Sequence, residues 1–177
     1  MRRSQKAAAE TRRRIVQRAS ELFRGQGIDA VSVADIMGSL GLTVGGFYRH
    51  FESKEALVAE AIDAASLEST KGHPGGAAEA LRRYLSNEHR RDAGRGCPVA
   101  ALCSEVAHQG KSTKKAFTLA LERLVGVVER LMPGAARRKV LHTAAAVVGG
   151  LVLARATTDD RLAAELLEAV AEESLSG

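Results

Sequence analysis

Residues 31–57 read VSVADIMGSLGLTVGGFYRHFESKEAL, and the spacing within this stretch decides the fold. Ser32-Val33-Ala34-Asp35 has the S-x-x-D form of a capping box, in which the serine oxygen accepts from an orphan amide and the acid favours the positive helix end. The helix it opens is short, with Ile36, Met37 and Leu40 on its inward side. Gly41 breaks it, because the turn needs a residue that tolerates unusual backbone angles. Thr43 can cap the next helix, whose only large side chains are Phe47, Tyr48 and Phe51. Ser53 caps a fourth helix carrying Leu57, Val58, Ala61 and Ile62 on one side. Two short helices joined through Gly41-Leu42-Thr43, preceded by a longer one, have the proportions of a helix-turn-helix unit whose second helix lies in a DNA major groove. On spacing alone, an ordinary helical subdomain with a solvated charged rim stays open.

Upstream, from about residue 7 to 25, Ile15, Ala19, Leu22 and Phe23 recur at helical spacing opposite Arg14, Arg18 and Glu21, and Gly25 and Gly27 end that helix. Downstream, STKGHPGG at 69–76 is polar and glycine-rich and reads as a loop. Helical patterns follow at about 77–91, 98–109, 113–132, 136–156 and 160–175, separated by DAGRGCP, QGKS, PGA and TTDD. The expectation is an all-α chain of about nine helices. Composition agrees: aromatic residues are 3% and tryptophan is absent, so the core must be aliphatic and alanine-rich, which suits helices better than sheets. At 177 residues the chain has room for one compact unit or two small ones sharing a core, which excludes a large multidomain enzyme.

The net charge of +5 is unevenly placed. Residues 1–54 hold 10 basic and 5 acidic side chains, whereas the remainder is balanced at 16 of each. A basic head on a neutral body suggests polyanion binding by the first and another task for the second. The longest apolar run, Thr143 to Ala154, is about half of what a bilayer-spanning helix needs, so it reads as a buried helix and no membrane partner is expected. No signal peptide is visible, the expected compartment is the cytoplasm, and Cys97 and Cys103 default to free thiols. The last two helical segments are apolar over more than one stripe. One face of each can pack inside the monomer and the other wants a partner, which a two-fold homodimer supplies through Val140, Ala144, Val148, Leu151, Leu162, Leu166 and Val170.

The stretch from Thr11 to Ala61, TRRRIVQRASELFRGQGIDAVSVADIMGSLGLTVGGFYRHFESKEALVAEA, resembles the N-terminal domain of the TetR family of bacterial transcriptional repressors. The matching features are the run "I…A..LF…G", the segment "VADI…LGLT" and GGFYRHFESKEAL. The resemblance implies a helix-turn-helix domain over residues 1–54, a helical regulatory and dimerisation domain over 55–177, a double-stranded DNA operator and a small-molecule effector. It further implies that Ser32, Tyr48, His50 and Lys54 contact phosphates while Thr43, Val44, Gly45 and Arg49 face base edges. Thr43 also competes for the role of helix cap, and His50 is open between a phosphate contact and a satisfied, partly buried histidine. Arg12, Arg13 and Arg14 read as a short arm ahead of the domain or as a solvated helix face. Gly45-Gly46 departs from the serine, threonine or proline often found in the family, and two glycines weaken a short helix by about 1 kcal/mol each.

Relatives of this type place a ligand pocket among the middle helices, for which Leu81, Tyr84, Leu85, Val99, Leu102, Cys103, Val106, Phe117, Leu121 and Leu124 are the candidates, each also readable as plain core. Few aromatics and no buried-acid pattern favour an uncharged lipophilic effector. Gly96-Cys97-Pro98 places Cys97 at a helix N-cap, since proline favours the first helical position, and a redox or electrophile sensor is the alternative trigger. No phosphate loop, metal-spaced His/Cys pair or nucleophile elbow occurs, so neither an enzyme, a cofactor nor a metal is expected. A helical interaction module without DNA binding is the third reading.

Overall fold

The helical periodicity carries through the chain as ten α-helices and one 3-10 turn in the computed structural model, which describes residues 2–71 and 76–175; no strand occurs among these residues. Helix α1 (Arg2–Gln26) starts earlier than its apolar pattern, because the alanine-rich lead QKAAAE favours helix without needing a core face. Arg12, Arg13 and Arg14 therefore lie inside α1 and not in an arm ahead of it. Helix α2 (Val33–Ser39) is opened by the expected capping box: Ser32 N–H donates to Asp35 Oδ2 at 2.8 Å and Asp35 N–H donates to Ser32 Oγ at 3.1 Å. The Ser32 hydroxyl also donates to Asp35 Oδ2 at 2.6 Å, and this bond, with that from Ser32 N–H, holds the Asp35 carboxyl below the usual carboxylate range. Helix α3 (Val44–Phe47) is a single turn, consistent with the Gly45-Gly46 pair at its centre. Thr43 occupies its N-cap through the backbone alone, with Gly46 N–H donating to Thr43 O at 3.0 Å. Helix α4 (Lys54–Ser69) begins with Ala56 N–H donating to Ser53 Oγ at 3.1 Å.

Helix α4 reaches through the start of the stretch expected to be a loop, and most of the rest of that loop lies outside the described residues. The segment at 77–91, expected as one helix, is two: α5 (Gly76–Tyr84) and α6 (Asn87–Arg91). Ser86 makes the break by capping α6, its Oγ accepting from His89 N–H at 3.2 Å. The count rises accordingly from about nine helices to ten. A 3-10 turn at Ala93–Arg95 leads into α7 (Pro98–Val106), followed by α8 (Lys111–Leu131), α9 (Arg137–Ala156) and α10 (Asp160–Leu175).

One core runs through the molecule. It joins Ile15, Phe23, Ile36, Met37, Phe47 and Leu57 of the first four helices to Leu81, Leu102, Leu124, Val147 and Leu151 of the remainder. Helix α4 is the shared element, packed against α1 on one side and α8 on the other. Helix α9 is long and apolar enough to cross a membrane by length and composition, yet Val140, Thr143, Ala144, Val147, Leu151 and Ala154 are buried in a helix packed on α7, α8 and α10. A smaller cluster of Val125, Val128, Met132, Val140 and Ala144 closes the α8–α9 end.

The α2–α3 corner depends on Gly41, whose φ is +68°, in the left-handed region. A Cβ there would meet nothing within 4 Å, so substitution brings backbone strain without collision. Gly41→Ala is expected to destabilise the fold by roughly 1–2 kcal/mol, read as a lower urea midpoint at unchanged slope. A wild-type midpoint would contradict the role given to this glycine.

Candidate nucleic-acid interface and adjoining cleft

The α2–α3 unit presents one polar surface because its apolar residues are spent on anchoring. Phe47 is wholly buried, stacked on Phe51 with ring centroids 5.3 Å apart and met edge-on by Tyr48 at 5.2 Å. Outside that anchor, Tyr48 is 67% exposed and Val44 44%, and Ser32, Thr43, Gly45 and Arg49 are exposed beside them. His50 is half-buried, its ring 6.4 Å from that of Phe51. Tyr48 and Arg49 thus offer a hydroxyl and a guanidinium at a helix end where the backbone, carrying two glycines, can approach a partner closely.

Of the other basic side chains here, Arg12, Arg13, Arg18 and Lys54 have structural partners. The Arg12 guanidinium stacks over Phe51 at 4.4 Å and pairs with Glu60 of α4. Arg13 pairs with Glu10 at 2.8 Å on the exposed face of α1, and Arg14 is exposed. Lys54 Nζ donates to Ile28 O at 2.6 Å and lies 5.9 Å from the Phe23 ring. Arg18 donates to Ser39 Oγ at 3.1 Å, tying α1 to the end of α2. Apart from the Arg13–Glu10 pair, these contacts could not be read from spacing, since each joins residues more than 20 positions apart.

The α1–α2 connection is bonded to the rest of the molecule. Ile28 N–H donates to Glu105 Oε2 at 2.6 Å, Gln109 Nε2 donates to Asp29 Oδ1 at 3.1 Å, and Arg24 Nη1 donates to Gly96 O at 2.6 Å. Gly96 and Cys97 form part of a cleft of about 1160 Å³ that also borders Tyr84, His89, Leu81, Leu124 and Val147. Its size is somewhat above the roughly 300–1,000 Å³ usual for small-molecule sites.

Of the ten pocket candidates, Leu81, Tyr84 and Leu124 line this cleft. Leu85, Val99, Leu102 and Val106 are buried in the core, Cys103 and Phe117 are half-buried away from the cleft, and Leu121 is 38% exposed. Cys97 is the N-cap of α7 without a side-chain capping bond and is 3% exposed. Spacing missed His89, which joins two walls. Its Nε2 accepts from Cys97 N–H at 3.0 Å, which obliges Nδ1 to carry the proton donated to Tyr84 O at 2.6 Å. Of the candidate dimer residues, Val140, Ala144 and Leu151 face the monomer core, Val148, Leu166 and Val170 are half-buried, and Leu162 is 45% exposed. Leu141 and Leu153 of α9, 45% and 57% exposed, extend that apolar face.

Comparison with known proteins finds likenesses over the first helices and in the fold as a whole. Residues 15–61 match the family model described as bacterial regulatory proteins, tetR family. The HTH-type transcriptional regulator TtgR of Pseudomonas putida is 37% identical over 79 residues, which are 45% of this chain and 37% of TtgR. The HTH-type transcriptional regulator AcrR of Shigella flexneri is 33% identical over 91 residues, 48% of this chain and 42% of AcrR. The chain thus matches well under half the length of these curated relatives. Over nearly the whole chain the fold is that of the Escherichia coli NemR reduced form (TM-score 0.76, 16% identity, 94% of this chain and 96% of that one). It is also that of a TetR-family regulator from Agrobacterium tumefaciens (TM-score 0.72, 23% identity, 94% and 98%).

Burial lowers the His89 pKa against the opposing bond to the Tyr84 carbonyl, with the Arg155 and Arg83 charges adding to the lowering and Asp92 weakly opposing it. The unfolded chain therefore takes up this proton first as pH falls below about 6.5, and stability present above that pH declines as pH approaches the lower folded value. Urea midpoints measured from pH 7 to 5.5 are expected to fall for the wild type and to fall less for His89→Gln. Parallel slopes would remove His89 as the source.

Proposed function

We propose that the chain is a DNA-binding transcriptional regulator of the TetR family with no enzymatic activity, acting as a cytoplasmic homodimeric repressor that is released from a two-fold symmetric operator when a small, largely apolar molecule enters the cleft. The observation that carries the reading is the bonded route from cleft to DNA-reading unit. Gly96 borders the cleft, its carbonyl accepts from Arg24, and Arg24 stands two residues from the turn that leads into α2. A ligand releases DNA to the extent that it prefers the spacing of heads that DNA cannot accept. A hundredfold loss of operator affinity needs about 2.7 kcal/mol of such preference.

Within this reading Tyr48 and Ser32 contact phosphates, and Thr43, Val44, Gly45 and Arg49 face base edges. Lys54 and Arg12, already engaged inside the head, act mainly by holding α4 and α1 against it. The two-fold partner covers Leu141, Leu153 and Leu162 together with the half-buried Val148, Leu166 and Val170. At 3% exposure Cys97 is shielded from reagents until the cleft wall opens, so ligand entry is preferred over thiol modification as the trigger.

Binding to the DNA flanking its own gene, followed by fluorescence anisotropy at several salt concentrations, tests the reading. Each phosphate contact contributes about 0.9 to the log-log salt slope. Arg49→Ala is expected to alter base preference, and an unchanged preference and affinity would remove α3 as the reading element. Leu162→Glu leaves the monomer core intact and is expected to give monomers in sedimentation with loss of operator binding. A stable dimer in that variant would place the interface elsewhere.

A further inference from the structure

Two buried polar atoms that the fold leaves unused lie at or behind the wall that Tyr84, His89 and Gly96 give the cleft of about 1160 Å³, Arg155 standing against Gly96 from the far side. The Tyr84 hydroxyl and Arg155 Nη1 are both fully buried; among the described residues Arg155 Nη1 has no hydrogen-bond partner, and the Tyr84 hydroxyl has no nitrogen or oxygen partner, only the weakly bonding Cys97 thiol beside it. Buried donors are almost always paired, and leaving one unmet is costly. Burial holds the Tyr84 phenol well above its ordinary pKa, so it is a neutral hydroxyl able to donate at any physiological pH. Tyr84 lies beside the Cys97 thiol and close enough to Arg155 to feel its charge.

Arg155 and Arg24 make no direct ion pair among the described residues, although Asp92 acts on both through its charge and Glu21 and Glu68 act on Arg24. Arg155 is clamped by backbone carbonyls, with Nε donating to Arg90 O at 3.2 Å and Nη2 to His89 O at 2.8 Å. Arg24 is held the same way, donating to Ser20 O at 3.0 Å and Gly96 O at 2.6 Å. Two half-buried guanidiniums are thus fixed by carbonyl dipoles in place of carboxylates. A half-buried cation with no directly paired counter-ion is an unfavourable arrangement that a bound anion would relieve. Gly96 lets the group close up, since a Cβ there would meet His89 Nε2 at 2.5 Å and Arg155 Nη2 at 2.8 Å. The remaining walls, including Val16, Leu81, Leu124, Val128 and Val147, are aliphatic.

We propose that Tyr84 and Arg155 form a subsite for an acidic head group, so that the effector is an amphipathic acid, with an aliphatic or aromatic body along the apolar walls and a carboxylate or similar anion at this corner. The inference rests on the ligand-cleft reading above and replaces the uncharged lipophile expected from composition. It also places the anion beside Gly96, whose carbonyl is bonded to Arg24 of the DNA-binding head.

Isothermal titration with matched pairs, dodecanoate against dodecanol and 4-butylbenzoate against 4-butylbenzyl alcohol, tests it on the full-length protein below the self-association limit of each compound. The acid of at least one pair is expected to bind about tenfold or more tightly than its alcohol, and Tyr84→Phe to weaken the acid about tenfold while leaving the alcohol unchanged. Arg155→Gln should do the same. Because Arg155 also clamps α6, Tyr84→Phe decides the matter if that variant does not fold. Alcohols binding as well as acids, or acid affinity indifferent to Tyr84→Phe, would overturn the anion subsite and leave the cleft reading standing. Binding of neither member of either pair would overturn both.

Discussion

Both backbone groups of Ile28 are held by charged side chains: its N–H donates to the Glu105 carboxylate and its carbonyl accepts from the Lys54 ammonium, each at 2.6 Å. Glu105 belongs to α7 and Lys54 to the first turn of α4, so the connection between α1 and α2 is fixed to two elements of different ancestry in the chain. The chain reaches this position through Gly27 at φ +97°, where a Cβ would press on the Glu105 carboxylate oxygens at 3.0 Å. The orientation of α2 and α3 follows from that clamp, and with it the direction in which Tyr48 and Arg49 face.

The same clamp gives the regulatory reading its scale. Hydrogen bonds to charged groups contribute about 1.5–3 kcal/mol each when buried, and less when partly exposed as here. Ile28–Glu105 and Arg24–Gly96 together are of the order needed to turn a ligand's preference for one arrangement into a large change in operator affinity. A much stiffer junction would not respond, and a much looser one would not transmit. Helix α4, packed on both α1 and α8, carries the rest of the load between head and body.

What the sequence made legible was local. The capping box at Ser32, the turn at Gly41, the cap at Ser53 and the Cys97-Pro98 helix start all depend on residues within four positions of one another, and each is found in place. The division of 77–91 into two helices was missed because Ser86 reads as a tolerable helix residue until its Oγ is seen capping α6. The roles of Arg12 and Lys54 were illegible for a different reason. A basic side chain near a helix-turn-helix looks free, and only tertiary packing brings Glu60 and Phe51 to the first and the Ile28 carbonyl to the second. The cleft residues show the same limit: Leu81, Tyr84 and Leu124 were readable as apolar positions on helices, whereas His89 and Gly96 of the cleft wall meet Arg155 behind it across up to 66 residues of chain.

The central claim is that the body holds the DNA-reading head through the Ile28 clamp, and amide hydrogen exchange of wild type and Glu105→Ala addresses it most directly. The account predicts that removing the carboxylate accelerates exchange at Ile28 and through α2 and α3 by about tenfold or more, while amides of α8, α9 and α10 keep their protection. Unchanged exchange in α2 and α3, or acceleration spread evenly over the whole chain, would contradict it.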